Sequence, residues 1–233
     1  MAKKKVPLEK AYYPLVARWL KRHFPCFKVA VNKGLRYGRI DVIGIRDIGG
    51  DLSGEVETIA VEVKRGSTPF ANACGQTFGY SVYANRVYLA DLREERFTQD
   101  ETFIASNLGI GLIQIRGTKC GEVLSSPFYR PIPKMQLRLF EALRLGRCQL
   151  CDSVFEIGAA EGNNWYTKVT REDLPKAIKE EKGLMFWNRE VAERKRRLGI
   201  RGSKEDDTTW ERRFFCPDCV GAVLMQLHPD SEE

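Results

Sequence analysis

The sequence predicts an α/β domain, with a mixed sheet flanked by helices, followed by a smaller metal-binding module. Three observations support this. Apolar, β-branched runs alternate with helical patterns over the first half of the chain, which is the order that builds a sheet with helices packed on it. A hairpin with carboxylates on both strands lies near the start of the chain. Two Cys-x-x-Cys pairs in the second half indicate a bound metal.

Length and composition are those of a soluble globular protein. The chain has 233 residues, enough for one large domain or two modest ones, with 43% hydrophobic and 30% charged residues. No apolar run could span a membrane, and no apolar segment follows the basic start as in a signal peptide. We therefore expect a cytoplasmic, nucleoid or nuclear protein that is not secreted and binds no membrane. The net charge of +7 favours polyanionic partners without proving them.

An amphipathic helix is predicted over residues 8–22, because apolar residues recur on one of its faces. Pro14 requires the regular helix either to begin near Tyr12 or to kink at the proline. A strand over 27–31 and a basic turn at 33–36 are expected to follow.

The central feature is a hairpin of two β-branched runs, 39–46 and 56–65, joined by a Gly-rich connection. Period two puts Glu62 and Lys64 on one face of the second strand and apolar neighbours on the other. With the turn centred midway in the connection, antiparallel register sets Asp41 opposite residues 60–62. Two carboxylates and a lysine then meet at one point.

Two carboxylates this close repel each other unless a cation lies between them. Oxygen ligands with room for water and phosphate suit Mg²⁺ or Mn²⁺. Lys64 beside the metal could orient a water or neutralise charge that develops on a phosphate oxygen. The alternative is that these charged residues simply line the wet face of a hairpin.

A second helix is predicted over residues 69–84, with Thr68 as its N-cap and Pro69 as its first residue. Gly75 and Gly79 each lower helix propensity by roughly 1 kcal/mol relative to Ala, and they share one face. We expect that face to pack closely on the sheet. A strand over 86–90, a helix over 99–107 and a strand over 111–115 complete the domain.

The hairpin residues and the order of the elements resemble the PD-(D/E)XK nucleases, the restriction-endonuclease-like superfamily. Asp41 on one strand and Glu62-x-Lys64 on the next look like the superfamily motif. The predicted elements from residue 8 to about 116, half of the chain, match its αβββαβ core.

The resemblance implies a divalent-metal-dependent nuclease that hydrolyses phosphodiester bonds, with DNA favoured over RNA. It assigns Asp41, Glu62 and the Val63 carbonyl as ligands of Mg²⁺ or Mn²⁺. Lys64 would position water or stabilise charge. The rival interpretations are a catalytically silent nucleic-acid-binding adaptor on the same scaffold and a zinc-stabilised protein-interaction module. Oligomeric state is left open.

Three more residues gain roles through the resemblance. Gln76-x-x-x-Tyr80 is similar to the motif of the RecB-type branch, in which both residues approach the active site or the DNA backbone. Glu9 lies where nucleases of this superfamily often carry a glutamate that touches the metal-bound water. The alternatives are an ordinary helix surface for the first two and a solvent-facing acid for Glu9.

Basic residues near the hairpin and in the second half are expected to contact nucleic-acid phosphates. The second group could equally be a solvated helix end that favours positive charge. The residues are Lys33, Arg36, Arg39, Arg65, Arg194, Lys195, Arg196 and Arg197.

The second half is predicted to begin at a stretch with three prolines, which divides a domain over 1–124 from a module over 125–233. A helix is expected over 135–145. Two thiolate pairs can complete a closed tetrahedral site for structural Zn²⁺; a redox dithiol or chance pairing are the alternatives. Residues 152–215 between the pairs are predicted to form a helical insertion, with helices over 170–183 and 184–198. The four thiolates belong to Cys148, Cys151, Cys216 and Cys219.

Overall fold

The computed structural model describes residues 8–35, 38–49, 55–66, 68–157, 166–169, 183–187, 212–216, 218–219 and 222. The chain divides into two compact units. The first comprises Met1–Ile48 and Val56–Leu139, and the second comprises Gly49–Glu55 and Phe140–Glu233.

The first unit combines a six-stranded sheet with helices on its faces. Its helices are α1 (Tyr13–His23), α2 (Phe70–Gly79), α3 (Gln99–Asn107) and most of α4 (Pro133–Ala142), with single 3₁₀ turns at Glu9–Ala11 and Tyr80–Val82. Its strands are β1 (Lys28–Leu35), β2 (Gly38–Asp47), β3 (Val56–Lys64), β4 (Arg86–Leu92), β5 (Gly111–Arg116) and β6 (Lys119–Leu124).

The sheet is mixed, and its strands follow the order of the chain from β1 to β6. The first three strands are antiparallel, β3, β4 and β5 are parallel, and β6 returns antiparallel to β5. The parallel strands are linked by α2 and by α3, as parallel neighbours require a crossover. The predicted α/β class with a mixed sheet and flanking helices is therefore confirmed.

The core on one face of the sheet is covered by α1. Val16 and Leu20 of the helix pack against Ile59, Val61 and Val63, all of which are fully buried. These three residues alternate along β3 with Ala60, Glu62 and Lys64, so the two sets of side chains face opposite sides of the sheet, as predicted. Pro14 lies in the first turn of α1, where its missing N–H costs no hydrogen bond, and the helix begins near Tyr12 rather than kinking.

Three local predictions in this unit were wrong, and one strand was missed. Residues 33–35 form no turn, since β1 continues to Leu35, which pairs with Gly38. The helix after β3 begins at Phe70, one residue late, and no side chain caps it. It ends at Gly79, because the chain tightens there into the 3₁₀ turn. Strand β6 was not predicted, because its short sequence interrupts the apolar pattern with an exposed lysine, an exposed glycine and a half-buried glutamate.

The segment 125–132 has no regular structure, as its prolines predict, yet it is held by hydrogen bonds to the sheet unit. The Ser126 hydroxyl accepts from the N–H of Val87 at 3.0 Å, and the N–H of Tyr129 donates to the Asn85 carbonyl at 2.7 Å. The predicted division at residues 124 and 125 stays a prediction.

The second unit contains short strands in its described part. β7 (Leu145–Arg147) pairs antiparallel with β8 (Val154–Glu156). A separate sheet has β10 (Gly183–Trp187) between β9 (Tyr166–Val169) and β11 (Arg212–Phe215). The α4 helix ends at Ala142 instead of continuing to residue 145, which starts β7.

The helix predicted over 184–198 is wrong at its start, because residues 184–187 belong to β10. A short apolar run with aromatic residues suits a central strand as well as a helix, and here two neighbouring strands supply its backbone partners. Gly183, expected to end the preceding helix, is the first residue of this strand. Residues 170–182 and 188–198 lie outside the described residues. None of the helices in the described part of the chain combines the length and apolar character needed to cross a membrane.

Helix α3 begins with a capping box that also anchors an arginine. The N–H of Glu101 donates to the Thr98 hydroxyl at 3.2 Å, and the N–H of Thr98 donates to the Glu101 carboxylate at 2.8 Å. Arg93 donates two bonds to the same carboxylate, at 2.7 and 2.9 Å, and lies over the Phe97 ring. These arginine bonds in particular lower the pKa of Glu101 to about 2.

We predict that Glu101→Gln destabilises the protein at neutral pH and that the difference shrinks in acid. The folded-state pKa lies below the ordinary value of 4.5. The stabilisation is therefore complete above that value and is lost as the pH falls towards about 2. Urea unfolding of both proteins between pH 7 and pH 3 measures this, with the exposed Glu95→Gln as control. A difference in stability that is constant across this range would contradict the prediction.

Candidate functional site

Asp41 and Glu62 face each other where the β2–β3 ladder ends. The last paired residues are Val42 and Val61, so the next position on each strand places Asp41 opposite Glu62. The register predicted from the hairpin is therefore confirmed. In an antiparallel pair, opposite side chains lie on the same face, which brings the two carboxylates together.

The Asp41 carboxylate is fixed by two donors on different elements. Its Oδ2 accepts a hydrogen bond from the backbone N–H of Val63 at 2.9 Å. Its Oδ1 accepts one from the hydroxyl of Tyr13, at the start of α1. The side chain thus extends the sheet ladder by one bond past the last backbone pair.

The Glu62 carboxylate is also held at both oxygens. Its Oε1 accepts a hydrogen bond from the Lys64 ammonium at 2.5 Å, two positions along the same face of β3. Its Oε2 accepts one from the Tyr80 hydroxyl, which also lies 2.8 Å from the Arg39 carbonyl oxygen. Residue 62 is only 5% exposed, so its charge depends on these partners.

Burial and mutual repulsion shift the titration of these groups. Burial raises the pKa of the Glu62 carboxyl. Hydrogen bonds from Lys64 and Tyr80 offset part of this rise, and the nearby Asp41 charge adds to it. Burial alone lowers the pKa of Lys64, but its contact with Glu62 and the charges of Glu9 and Asp41 outweigh this, so the net pKa is raised. Lys64 is therefore an ammonium at neutral pH.

The carboxylates open onto a cleft of about 390 Å³ between the start of β2 and helix α2. One wall is formed by residues 38–41, and the other by Gly75, Gln76, Gly79 and Tyr80. This volume is at the lower end of the range of roughly 300–1,000 Å³ typical of small-molecule pockets.

The prediction that Gly75 and Gly79 pack on the sheet was wrong. Both are exposed, and a Cβ built at either position meets no atom within 4 Å. The face of α2 that packs on the sheet carries Ala73, Cys74 and Thr77 instead. The glycines therefore keep the cleft open rather than allowing the helix to approach the strands.

The structure also brings other predicted residues to this cleft. Gln76 lines it on the same wall as Tyr80. In an antiparallel pair, the N–H and C=O of one residue point to the same neighbour, so the Val63 carbonyl is directed towards the Asp41 side. Glu9 makes no direct contact with the carboxylates among the described hydrogen bonds, but its charge contributes to the raised pKa of Lys64.

The predicted phosphate-contacting residues are distributed unequally around the site. Arg39 is exposed, lines the cleft, and donates to the Asn32 side-chain oxygen at 3.4 Å. Lys33 and Arg65 are half-buried at the ends of β1 and β3 and do not line the cleft. Arg36, Arg194, Lys195, Arg196 and Arg197 lie outside the described residues.

Tyr13 is the residue that sequence reasoning missed. Neither Tyr13 nor its neighbour Tyr12 was assigned a role from the sequence, because nothing in the pattern distinguished the two hydroxyls. In the structure the Tyr13 ring is buried in the core beneath α1 and its hydroxyl reaches Asp41. Burial raises the pKa of this phenol, and the charges of Asp41, Glu62 and Glu9 raise it further, so it remains a donor at neutral pH.

The second unit contains a cluster of four cysteines that can bind a metal such as zinc. The sulfur atoms of Cys148, Cys151, Cys216 and Cys219 all lie within 4.8 Å of one another. The Sγ atoms of Cys151 and Cys216 are 3.7 Å apart. A tetrahedral zinc site with Zn–S bonds of about 2.3 Å has S···S edges of about 3.8 Å, so the cluster fits that geometry.

Backbone groups support the thiolates that such a metal requires. The N–H groups of Cys216 and Leu150 approach the Cys148 sulfur at 3.3 and 3.5 Å, and the N–H of Cys219 approaches Cys216 at 3.4 Å. Burial raises the pKa of Cys151, but hydrogen bonds from Ser153 outweigh it and leave a pKa of about 7. The cysteines follow β7 and β11, two strands joined by an isolated bridge between Cys148 and Phe214.

Comparison with known proteins identifies no family. No family model matches the chain, and no curated protein is significantly similar to it. A solved structure, the SPO1766 protein of unknown function from Silicibacter pomeroyi, aligns with a TM-score of 0.43 and 22% identity. The alignment covers 60% of this chain and 86% of that one. A likeness this distant supports no conclusion about activity.

We predict that the protein purifies with one tightly bound zinc ion and that Cys148→Ser loses it. The second unit should then become sensitive to protease, because metal binding supplies part of its folding free energy. Elemental analysis and limited proteolysis measure both effects, and Cys120→Ser, outside the cluster, is the control. Purification without chelators that yields no zinc, or equal zinc in Cys148→Ser, would contradict the prediction.

We predict that Gly75→Ala stabilises the protein by up to about 1 kcal/mol, because alanine favours the helix and its methyl group meets open space. Gly111→Ala is the matched control. A Cβ there would lie 2.3 Å from the Tyr88 ring, so this variant should be destabilised. Urea unfolding compares the stability of the three proteins. If Gly75→Ala were no more stable than wild type, the conclusion that the helix is open at this position would be wrong.

Proposed function

We propose that the protein is a divalent-metal-dependent nuclease that hydrolyses phosphodiester bonds, with DNA favoured over RNA as substrate. The observation that carries this proposal is the pair Asp41 and Glu62 at facing strand ends, with Lys64 in contact with Glu62, in an open cleft. The same residues underlie the resemblance to PD-(D/E)XK nucleases, and a restriction-endonuclease-like core is part of the proposal.

The donor set fits Mg²⁺ or Mn²⁺. Each carboxylate oxygen of the pair accepts one hydrogen bond from the protein. Since a carboxylate oxygen has a second lone pair, each retains one for a cation. Asp41, Glu62 and the Val63 carbonyl would supply three hard oxygen ligands, and this leaves positions for water and phosphate.

The protein groups around the carboxylates have separate roles in the proposed reaction. A bound Mg²⁺ or Mn²⁺ would act as a Lewis acid on the phosphate and increase the acidity of a water. The Lys64 ammonium stabilises negative charge that develops on a phosphate oxygen, or orients the water. Tyr80, in the 3₁₀ turn after helix α2, holds Glu62 Oε2, and Gln76 on the same wall orients the nucleic-acid backbone.

A polyanionic substrate agrees with the charge of the chain. The net charge is +7, and Arg39 stands exposed at the cleft beside the carboxylates. The cleft stays open above Asp41 and Glu62, because Gly75 and Gly79 contribute no side chains to its wall. Lys33, Arg36, Arg65 and the basic residues at 194–197 remain proposed phosphate contacts.

We predict that Asp41→Asn and Glu62→Gln abolish cleavage while the fold survives. Each change keeps the size of the side chain but removes a negative charge that would hold the cation. Lys64→Ala should abolish cleavage with metal binding retained, because lysine is not a ligand. Cleavage of labelled single-stranded, double-stranded and branched DNA, and of RNA, is measured with Mg²⁺, Mn²⁺ or EDTA.

Asp47→Asn, at the opposite end of β2, is the matched control and should cleave like wild type. Nucleic-acid affinity should persist in all variants, because phosphate contacts elsewhere remain. Wild-type binding without cleavage under any metal would favour the catalytically silent adaptor. Neither binding nor cleavage would favour the zinc-stabilised protein-interaction module, and cleavage that persists in Asp41→Asn would assign the activity to another site.

A further inference from the structure

We infer that Tyr13 is a positioning residue for the metal site, which fixes the Asp41 carboxylate in the orientation that binds the cation. The inference rests on the proposed function, since it concerns the same pair of carboxylates. Tyr13 belongs to none of the motifs on which the resemblance to nucleases depends.

The first argument is the location of Tyr13 in the fold. Its ring is 7% exposed and belongs to the same core cluster as Val16, Leu20 and Val63. A ring packed in this way has one position, so its hydroxyl is a fixed donor rather than a mobile one. Helix α1 and the sheet together hold that donor against Asp41 Oδ1.

The second argument is the constraint that two donors impose on one carboxylate. The Val63 N–H alone fixes Oδ2 but leaves the Asp41 carboxylate free to rotate about that bond. The Tyr13 hydroxyl at Oδ1 removes this freedom, because both oxygens are then held from different elements. The remaining lone pairs therefore point in one defined direction beside Glu62.

The third argument is that each of the two carboxylates accepts a hydrogen bond from a different tyrosine. Tyr80 holds Glu62 Oε2 from the 3₁₀ turn that follows α2, and Tyr13 holds Asp41 Oδ1 from α1. The two carboxylates are thus oriented by phenols from two separate elements, one before the hairpin in the chain and one after it. Charged repulsion between Asp41 and Glu62 would otherwise turn them apart, because like charges at close range avoid each other.

Tyr12 provides an internal control for this inference. It precedes Tyr13 in the chain and also packs on the core, but its side chain makes no hydrogen bond within the described residues. Removing either hydroxyl leaves the aromatic ring in place. Only the loss of the Tyr13 hydroxyl should therefore affect Asp41.

The experiment measures Mn²⁺ binding to the full-length, zinc-loaded protein by electron paramagnetic resonance, without substrate. Loss of a group that orients a metal ligand typically weakens metal binding about 10- to 100-fold. We expect Tyr13→Phe to raise the Mn²⁺ dissociation constant by this factor. Tyr12→Phe should bind like wild type, and Asp41→Asn should not bind at this site. Circular dichroism establishes that each variant is folded.

Cleavage assays supply a second readout that a purely structural role would not change. The Mn²⁺ concentration for half-maximal activity of Tyr13→Phe should rise in parallel with its dissociation constant, and excess Mn²⁺ should restore the rate. Equal Mn²⁺ affinity in wild type and Tyr13→Phe overturns the inference while the nuclease proposal stands. Mn²⁺ binding that depends on Tyr13 in a protein that cleaves nothing supports the inference and overturns the nuclease proposal. Absence of Mn²⁺ binding by wild type overturns both.

Discussion

The antiparallel register of β2 and β3 is the constraint on which the candidate site depends. This register sets Asp41 opposite Glu62. Because side chains alternate between the two faces of a strand, both carboxylates lie on the face away from the α1 core. A slip of one residue would turn Glu62 and Lys64 into the apolar layer and Val61 into the cleft. The fully buried residues Ile59, Val61 and Val63 therefore protect the site as well as the fold, because a one-residue slip would remove all three from the core beneath α1.

Polar groups close to the cleft are organised by the same few elements that form the core. Strand β3 contributes Glu62, Lys64 and the Val63 N–H, while α1 and the 3₁₀ turn after α2 each contribute one tyrosine hydroxyl. Such a network carries a high cost when it is incomplete, because an unpartnered charge in a buried position loses its hydration. Removing one donor therefore leaves its acceptor both less well oriented and without a partner for its charge.

Much of the first unit was predictable because its signals are local and agree with each other. Strand β4 and helix α3 were predicted close to their observed bounds, and the structure shows that a capping box begins the helix. The partners of Gly75 and Gly79 could not be predicted, since a helical glycine permits close packing or open space and only the neighbouring elements decide which. Tyr12 and Tyr13 are adjacent in the sequence, so only the orientation of α1 on the sheet decides which of the two hydroxyls reaches Asp41. The short apolar run at 184–187 had no length or periodicity to separate strand from helix.

The four cysteines lie at both ends of one long stretch of chain. Any cation they bind ties residue 151 to residue 216 and closes the intervening residues, 152–215, into a single loop. The entropy lost on closing a flexible loop grows only with the logarithm of its length, so that each doubling costs about 0.6 kcal/mol more. The stretch between the cysteine pairs is therefore free to gain or lose whole segments at little cost to metal affinity. Evolution could lengthen or replace this insertion while the cross-link at its base remains intact.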